Sequence, residues 1–166
     1  ARHMQGNVSQ AAKLLTEQAQ AERLAYHPPP PVRRPNIILV VVDALRADRL
    51  GIVGYGRDTT PYLSSLQRSG RLEVVPRTVA ACTESYCGLM AILRSRPVHM
   101  LTDKDLSLHE VLRQLGYRVL LALGGDHTSF YGLRDAYGPA DSYFDGSMAR
   151  GRYANDDEAL LDHARQ

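Results

Sequence analysis

Three groups of polar side chains in this sequence combine residue types that can do chemistry. They are Asp43 after the apolar run 37–42, the cluster Cys82-Thr83-Glu84-Ser85, and the pair Asp126-His127. A helix N-terminus favours an anion such as phosphate or sulfate, because its first N–H groups are unpaired and the helix dipole is positive there. A hydroxyl or thiol at that point is a candidate nucleophile, and a divalent metal held by a carboxylate would lower its pKa further. An adjacent histidine could hold the anion or protonate a leaving group.

Each of these residues also has a purely structural interpretation. Asp43 could cap the turn that follows it, and Thr83 could be the N-cap of its helix. His127 could be a loop histidine that is hydrogen-bonded to the backbone. The residue types and their order leave both interpretations open.

The elements that must position these groups alternate between strands and helices. Strands are predicted at 37–42, 71–76 and 117–123, and the first should be buried on both faces because five of its six residues are β-branched. Helices are predicted at 7–26, at 61–68 after Thr60 and Pro61, from 80 to about 93, at 107–115 with a Ser107/Glu110 capping box, and from 156 onward. This order predicts an α/β fold, a three-layer α/β/α arrangement with a largely parallel sheet. The carboxyl ends of parallel strands meet at one edge, where the three polar groups can converge.

The chain is predicted to consist of two parts. Residues 1–35 form a helix followed by a proline-rich linker that includes residues 28–31, and residues 36–166 form the globular α/β domain.

Composition and motifs exclude several classes of protein. The 166 residues are 44% apolar with a net charge of +2, which gives no indication of a nucleic-acid partner. No apolar run approaches the roughly 18 residues that span a bilayer, and the N-terminus is too polar for a signal peptide. The glycine patterns of dinucleotide folds and phosphate loops are absent, and Leu45 replaces the second Asp of aspartate-nucleophile phosphatases. Cys82 and Cys87 could pair in an oxidising compartment.

Four stretches in order resemble the alkaline phosphatase superfamily, in its sulfatase and lipoteichoic-acid-synthase-like or phosphoethanolamine-transferase-like branches. Residues 36–48 resemble the strand whose terminal acid binds a metal, and residues 50–63 resemble a Gly-Tyr…Thr-Thr-Pro-x-Leu segment. Residues 82–97 resemble the nucleophile helix, which in sulfatases begins Cys-x-Pro-Ser-Arg. Residues 106–145 resemble Leu-x-x-x-Leu-x-x-x-Gly-Tyr, then Gly-Gly-Asp…Phe, then a closing Phe-Asp.

The resemblance assigns roles to individual residues. It implies that Asp43 is a metal ligand, with Ala44 in place of a second sulfatase Asp, and that His127 binds substrate, with Gly125 in place of a nearby lysine. Cys82 aligns with the cysteine that sulfatases convert to formylglycine, but the residues that direct the conversion are missing at 84 and 86. Transferases of the superfamily use threonine, so Thr83 is the first candidate nucleophile and metal contact, and Cys82 the second.

The resemblance also implies a divalent metal (Zn, Mn, Mg or Ca) and a small-molecule, lipid or glycan ester as substrate. The remaining metal ligands of the family come late in the domain, so we expect this chain to be its N-terminal half and to need the C-terminal half. The implied location is the periplasm or cell surface, with tethering to the inner membrane by a segment upstream. The alternatives are a non-catalytic sulfatase-like binding or regulatory domain, and a plain nucleotide-binding α/β module.

Overall fold

The computed structural model describes residues 2–30, 33–148 and 157–165. Its helices and strands are α1 (Arg2–Ala25), α2 (Pro61–Arg68), α3 (Ser85–Arg94), α4 (Leu108–Gln114), β1 (Leu120–Ala122), α5 (Leu133–Tyr137), β2 (Ser142–Phe144) and α6 (Asp157–Ala164). Short 3₁₀ turns lie at Ala47–Arg49, Gly51–Val53, Val98–Met100 and Gly146–Met148. The chain divides into two compact units, unit 1 (residues 1–36 and 81–166) and unit 2 (residues 37–80).

The α/β class is confirmed by a small parallel sheet in unit 1. β1 and β2 pair in parallel with Leu120 opposite Ser142 and Ala122 opposite Phe144. The Leu123 N–H extends the ladder by donating to the Phe144 carbonyl at 2.9 Å. The connection between the strands contains α5, as parallel strands require a crossover. Both strands therefore end at the same edge, where residues 123–128 and 145–147 begin.

The core of unit 1 lies between α3 and α5. Met90 of α3 packs with Leu133 and Tyr137 of α5, and all three are buried. Side chains packed around them come from both helices, from β1 and β2 and from the loops beside them: Leu89, Leu93, Leu101, Leu121, Leu123, Ala136 and Tyr143. This cluster packs α3, the helix predicted from the sequence to carry the nucleophile, against α5, which follows the loop that contains His127.

α1 belongs to unit 1 rather than standing apart from it. Ala19 is only 3% exposed, Arg23 is ion-paired with Glu110 of α4, and Arg96 is ion-paired with Glu22. The division at 36/37 separates unit 1 from unit 2; the predicted boundary between residues 1–35 and 36–166 is a different one and stays a prediction.

Helices that carry local start and stop signals form where the sequence predicts them. α2 begins at Pro61, although Thr60 uses its hydroxyl to accept from the Gly51 N–H at 3.1 Å instead of capping the helix. α4 begins with the complete Ser107/Glu110 capping box. It is followed by Gly116, whose φ of +82° is the left-handed geometry that glycine adopts without strain.

Two predicted strands are wrong. The run 37–42 is not part of a sheet, and its side chains are between 45% and 87% exposed. Residues 71–76 also lack strand pairing. A β-branched run becomes a buried strand only when neighbours hydrogen-bond its edges and cover its faces. The part of unit 2 that the structure describes contains no other strand to pair with it.

Candidate active site

Thr83 lies in an exposed loop just before the helix that was predicted to hold it. α3 starts at Ser85, and the N-cap position is taken by Glu84, whose side chain caps nothing. Thr83 is therefore not the N-cap, and the structural interpretation of this residue is wrong. Its hydroxyl stands one residue outside a helix N-terminus that lacks a side-chain cap, so the N–H groups of the first turn are not occupied by Glu84.

Cys82 and Cys87 are joined by a disulfide, with their Cα atoms 6.2 Å apart. The bridge ties the loop before α3 to the first turn of the helix and encloses Thr83. The Glu84 N–H donates to the Cys82 sulfur at 3.4 Å, inside the same ring. A bridged sulfur has no thiolate, and the thiolate is the nucleophilic form of cysteine. Of the two candidate nucleophiles, this arrangement favours Thr83.

His127 lies in the loop after β1, at the carboxyl end of the sheet. Its Nδ1 and the Tyr137 hydroxyl share a hydrogen bond of 2.6 Å, and the two rings are 5.8 Å apart. The backbone of His127 is also held, since its N–H donates to the Gly125 carbonyl and its carbonyl accepts from the Arg134 N–H, both at 3.1 Å. Burial raises the pKa of Tyr137, so its hydroxyl keeps its proton throughout the physiological range. The His127 ring is therefore bound to a side chain, and the backbone bonds of this residue are made by its own N–H and carbonyl.

Asp145 is a fully buried carboxylate that is hydrogen-bonded to Thr128, the residue after His127. It was not singled out from the sequence. Its Oδ2 accepts from the Thr128 and Tyr143 hydroxyls, both at 2.7 Å, and its Oδ1 accepts from the N–H and hydroxyl of Ser147 at 3.0 and 2.5 Å. Burial by itself would raise the pKa of this carboxyl, but the hydrogen bonds from Ser147, Thr128 and Tyr143 outweigh it and lower the pKa to about 2. The only signal in the sequence was the closing Phe-Asp pair of the family resemblance.

Asp43 belongs to unit 2, whereas Cys82, Thr83 and His127 belong to unit 1. The Asp43 side chain is exposed, and its Oδ1 accepts from the Ala44 N–H at 2.9 Å. Ala44 itself has a φ of +56°, a left-handed conformation that is unfavourable for alanine. This bond reaches only the adjacent residue, whereas a capping side chain accepts from a residue two or three positions further on, so the role of Asp43 as a cap stays a prediction.

Tyr137 connects the two chemical groups of unit 1. Its ring packs against Met90 in α3, the helix that begins two residues after Thr83, while its hydroxyl binds His127. The Arg94 guanidinium, at the last residue of α3, donates to the Ala136 carbonyl at 3.2 Å. The relation between α3 and residues 125–128 is therefore set by α5.

A protein-family model described as Sulfatase matches residues 35–166. The chain belongs to the sulfatase family. No match was found among curated proteins or among solved structures. Membership places the chain in the sulfatase and alkaline phosphatase superfamily, whose members are hydrolases and transferases at the family level.

Sulfatase-family proteins generally bind a divalent metal, and the described residues fit one only in part. Asp43 offers a carboxylate and Thr83 a hydroxyl, the hard oxygen donors that such ions accept. Within residues 2–30, 33–148 and 157–165, however, no three His, Cys, Asp or Glu side chains lie close enough to hold a metal ion.

Proposed function

We propose that this sulfatase-family chain carries the nucleophile of a phosphate- or sulfate-ester hydrolase or transferase, and that the nucleophile is Thr83. One observation carries the proposal: an exposed threonine hydroxyl stands just outside the N-terminus of α3, in a loop that the neighbouring disulfide ties to that helix. The positive dipole end of the helix favours the anionic oxygens of such an ester.

The reaction would proceed in two transfers. Thr83 Oγ forms a bond to phosphorus or sulfur while the bond to the leaving oxygen breaks, and the hydroxyl proton ends on that oxygen. Water in a hydrolase, or an acceptor hydroxyl in a transferase, then forms a bond to the same phosphorus or sulfur while its bond to Thr83 Oγ breaks, and the proton of the attacking group ends on Thr83 Oγ. His127, held through Nδ1 by Tyr137, would bind the anion or carry the proton to the leaving oxygen.

We also propose Asp43 as one ligand of the divalent metal that the family generally binds. With Ala44 in place of a second acid, a site built on Asp43 would contain fewer carboxylates than a sulfatase site, which favours the lipoteichoic-acid-synthase-like or phosphoethanolamine-transferase-like branches. A small-molecule, lipid or glycan ester is the substrate class that this branch implies.

The proposed location is outside the cytoplasm, with tethering to the inner membrane. The support is the Cys82–Cys87 bridge, because disulfides persist in oxidising compartments and are rare in the cytosol. Among the described residues, no helix combines the length and apolar character needed to cross a bilayer.

Covalent trapping tests the nucleophile. The full gene product is incubated with chromogenic phosphate monoesters, phosphate diesters and sulfate esters, quenched in acid and digested with trypsin. We expect a phosphoryl or sulfuryl group on Thr83 within peptide 78–94, and a loss of turnover on the order of 10³-fold or more in Thr83→Val. Thr83→Ser, which keeps the hydroxyl, should retain activity, and the matched control Thr78→Val on the same peptide should change nothing.

Two results would contradict the proposal. An adduct on another residue, with Thr83→Val active, would move the nucleophile elsewhere. Binding of inorganic phosphate or sulfate without turnover or adduct on any ester would instead identify a non-catalytic sulfatase-like binding domain.

A further inference from the structure

We propose that Asp145 is a positioning residue that fixes His127 through Thr128. The inference rests on the proposed function only in taking His127 as the residue that meets the anion; the positioning itself concerns side chains within unit 1. We call residues 125–128 the His127 loop.

Asp145 is linked to the loop through Thr128, whose side chain and backbone N–H both interact with the carboxylate. Thr128 Oγ1 donates to Asp145 Oδ2 at 2.7 Å, and Thr128 is the residue directly after His127. The remaining acceptor sites of the buried carboxylate are filled by Tyr143 and Ser147, so Asp145 is itself held from both sides. A charged acceptor makes these bonds stronger than bonds between neutral groups.

The backbone completes the support of the loop. The Gly125 carbonyl accepts from the His127 N–H at 3.1 Å and from the Gly146 N–H at 2.9 Å, so the residue after Asp145 holds the start of the loop. The His127 carbonyl accepts from the Arg134 N–H in α5. Asp145 and Gly146 thus contact the loop before and after His127, which holds the backbone of the loop against the segment that follows β2.

The sheet explains why an aspartate at this position reaches the loop. Ala122 and Phe144 are partners in the parallel pair, so the segments that leave β1 and β2 emerge side by side at their carboxyl ends. Ligands of open parallel sheets bind at this edge. A carboxylate placed one residue after β2 can support a loop that starts a few residues after β1, and the support acts where a ligand would bind.

Two hydroxyls on the same carboxylate oxygen provide a matched pair of variants. Thr128→Val and Tyr143→Phe each remove one 2.7 Å hydrogen bond to Asp145 Oδ2, but only the bond that Thr128→Val removes comes from the His127 loop. Asp145→Asn keeps the shape of the side chain and removes its charge, and Tyr137→Phe removes the hydroxyl from His127 Nδ1 directly.

The readout is the pair of ring ¹⁵N shifts of His127 in the ¹⁵N-histidine-labelled chain at fixed pH, assigned with His127→Gln. These shifts report the tautomer and hydrogen bonding of the ring, which a general loss of stability does not change. We expect Thr128→Val and Asp145→Asn to move them in the direction seen for Tyr137→Phe, and Tyr143→Phe to leave them at the wild-type values. Inorganic phosphate and sulfate, titrated into the same samples, should bind about tenfold more weakly to Thr128→Val than to Tyr143→Phe.

The shifts decide the inference independently of catalysis. Equal shifts in Thr128→Val and Tyr143→Phe, or none in Thr128→Val and Asp145→Asn, would overturn the positioning role of Asp145. If the wild type neither binds these anions nor cleaves esters, the proposed function fails, while the comparison of ring shifts still establishes or refutes the support of His127.

Discussion

Opening the Cys82–Cys87 disulfide should destabilise unit 1 by an amount that follows from the size of its ring. The bridge closes a loop with a sequence separation of 5. For a loop of about six residues, the entropy that a cross-link removes from the unfolded chain is about 7 cal/mol/K, or about 2 kcal/mol at 25 °C. In a chain of this size that corresponds to a fall in melting temperature of about 4–8 °C.

The assay compares urea unfolding of three samples by circular dichroism: the oxidised wild type, the wild type in a phosphine reductant, and Cys82→Ala combined with Cys87→Ala. The first should exceed the other two by about 2 kcal/mol in free energy of unfolding. The reductant should have no effect on the double variant, which controls for its action elsewhere. Amide exchange at residues 83 and 84 should also accelerate, because the reduced ring no longer ties the Thr83 loop to the first turn of α3.

Two outcomes would refute this reasoning. Alkylation of both cysteines in the native, unreduced protein by iodoacetamide would show that the bridge is absent. Equal stability of the oxidised and reduced wild type would show that the ring does not restrict the unfolded chain, and the argument that it holds Thr83 would lose its support.

Two further predictions test backbone and burial effects. Burial lowers the pKa of His109, whose Nε2 donates to the Tyr137 carbonyl, so the unfolded chain binds the proton more tightly. The contribution of His109 to the free energy of unfolding should therefore be complete above the unfolded pKa of about 6.5. It should fall as the pH decreases, by at most about 1.4 kcal/mol per pH unit. Urea titrations from pH 7.5 to 5 should show a flatter slope in His109→Gln. Ala44→Gly should slow amide exchange in unit 2 by relieving a left-handed residue, a gain of about 1 kcal/mol, whereas Ala47→Gly in the 3₁₀ turn should accelerate it.

Helices were predictable because their signals are local. The Ser107/Glu110 box and Pro61 act on backbone groups within four residues of themselves, so the sequence contains the whole interaction. The α/β class followed from the alternation of such elements. The helix predicted from residue 80 begins only at Ser85, after the loop that the Cys82–Cys87 bridge ties to its first turn.

Strands were less predictable because pairing is not local. The run 37–42 has the composition of a buried strand, but composition states only what a segment can bury, not which neighbour covers it. β2 was not predicted because Ser142–Phe144 is too short to show a periodic pattern. It forms a strand because β1 lies beside it and pairs with it.

The candidate site shows the same division between local chemistry and distant support. Thr83, Cys82 and His127 were selected by residue type and position, whereas Tyr137 and Asp145 lie 10 and 18 residues beyond His127 and act through contacts that no spacing rule reveals. Asp145 is buried and accepts hydrogen bonds from three hydroxyls and one backbone N–H. Sequence patterns do not reveal such contacts, although the precise orientation of a histidine depends on them.

Tyr137 couples the position of His127 to the packing of α5 against α3. Because its ring is part of the α3–α5 core and its hydroxyl holds His127 Nδ1, any change that shifts α5 against α3 must also move the histidine. The chemistry proposed for Thr83 and His127 requires a nucleophile and an anion-binding group to meet the same ester, and such groups lose efficiency when displaced by about 1 Å. A small, rigid core between the helix after Thr83 and the loop of His127 meets that requirement better than either loop could alone, since a close-packed interior transmits displacement instead of absorbing it.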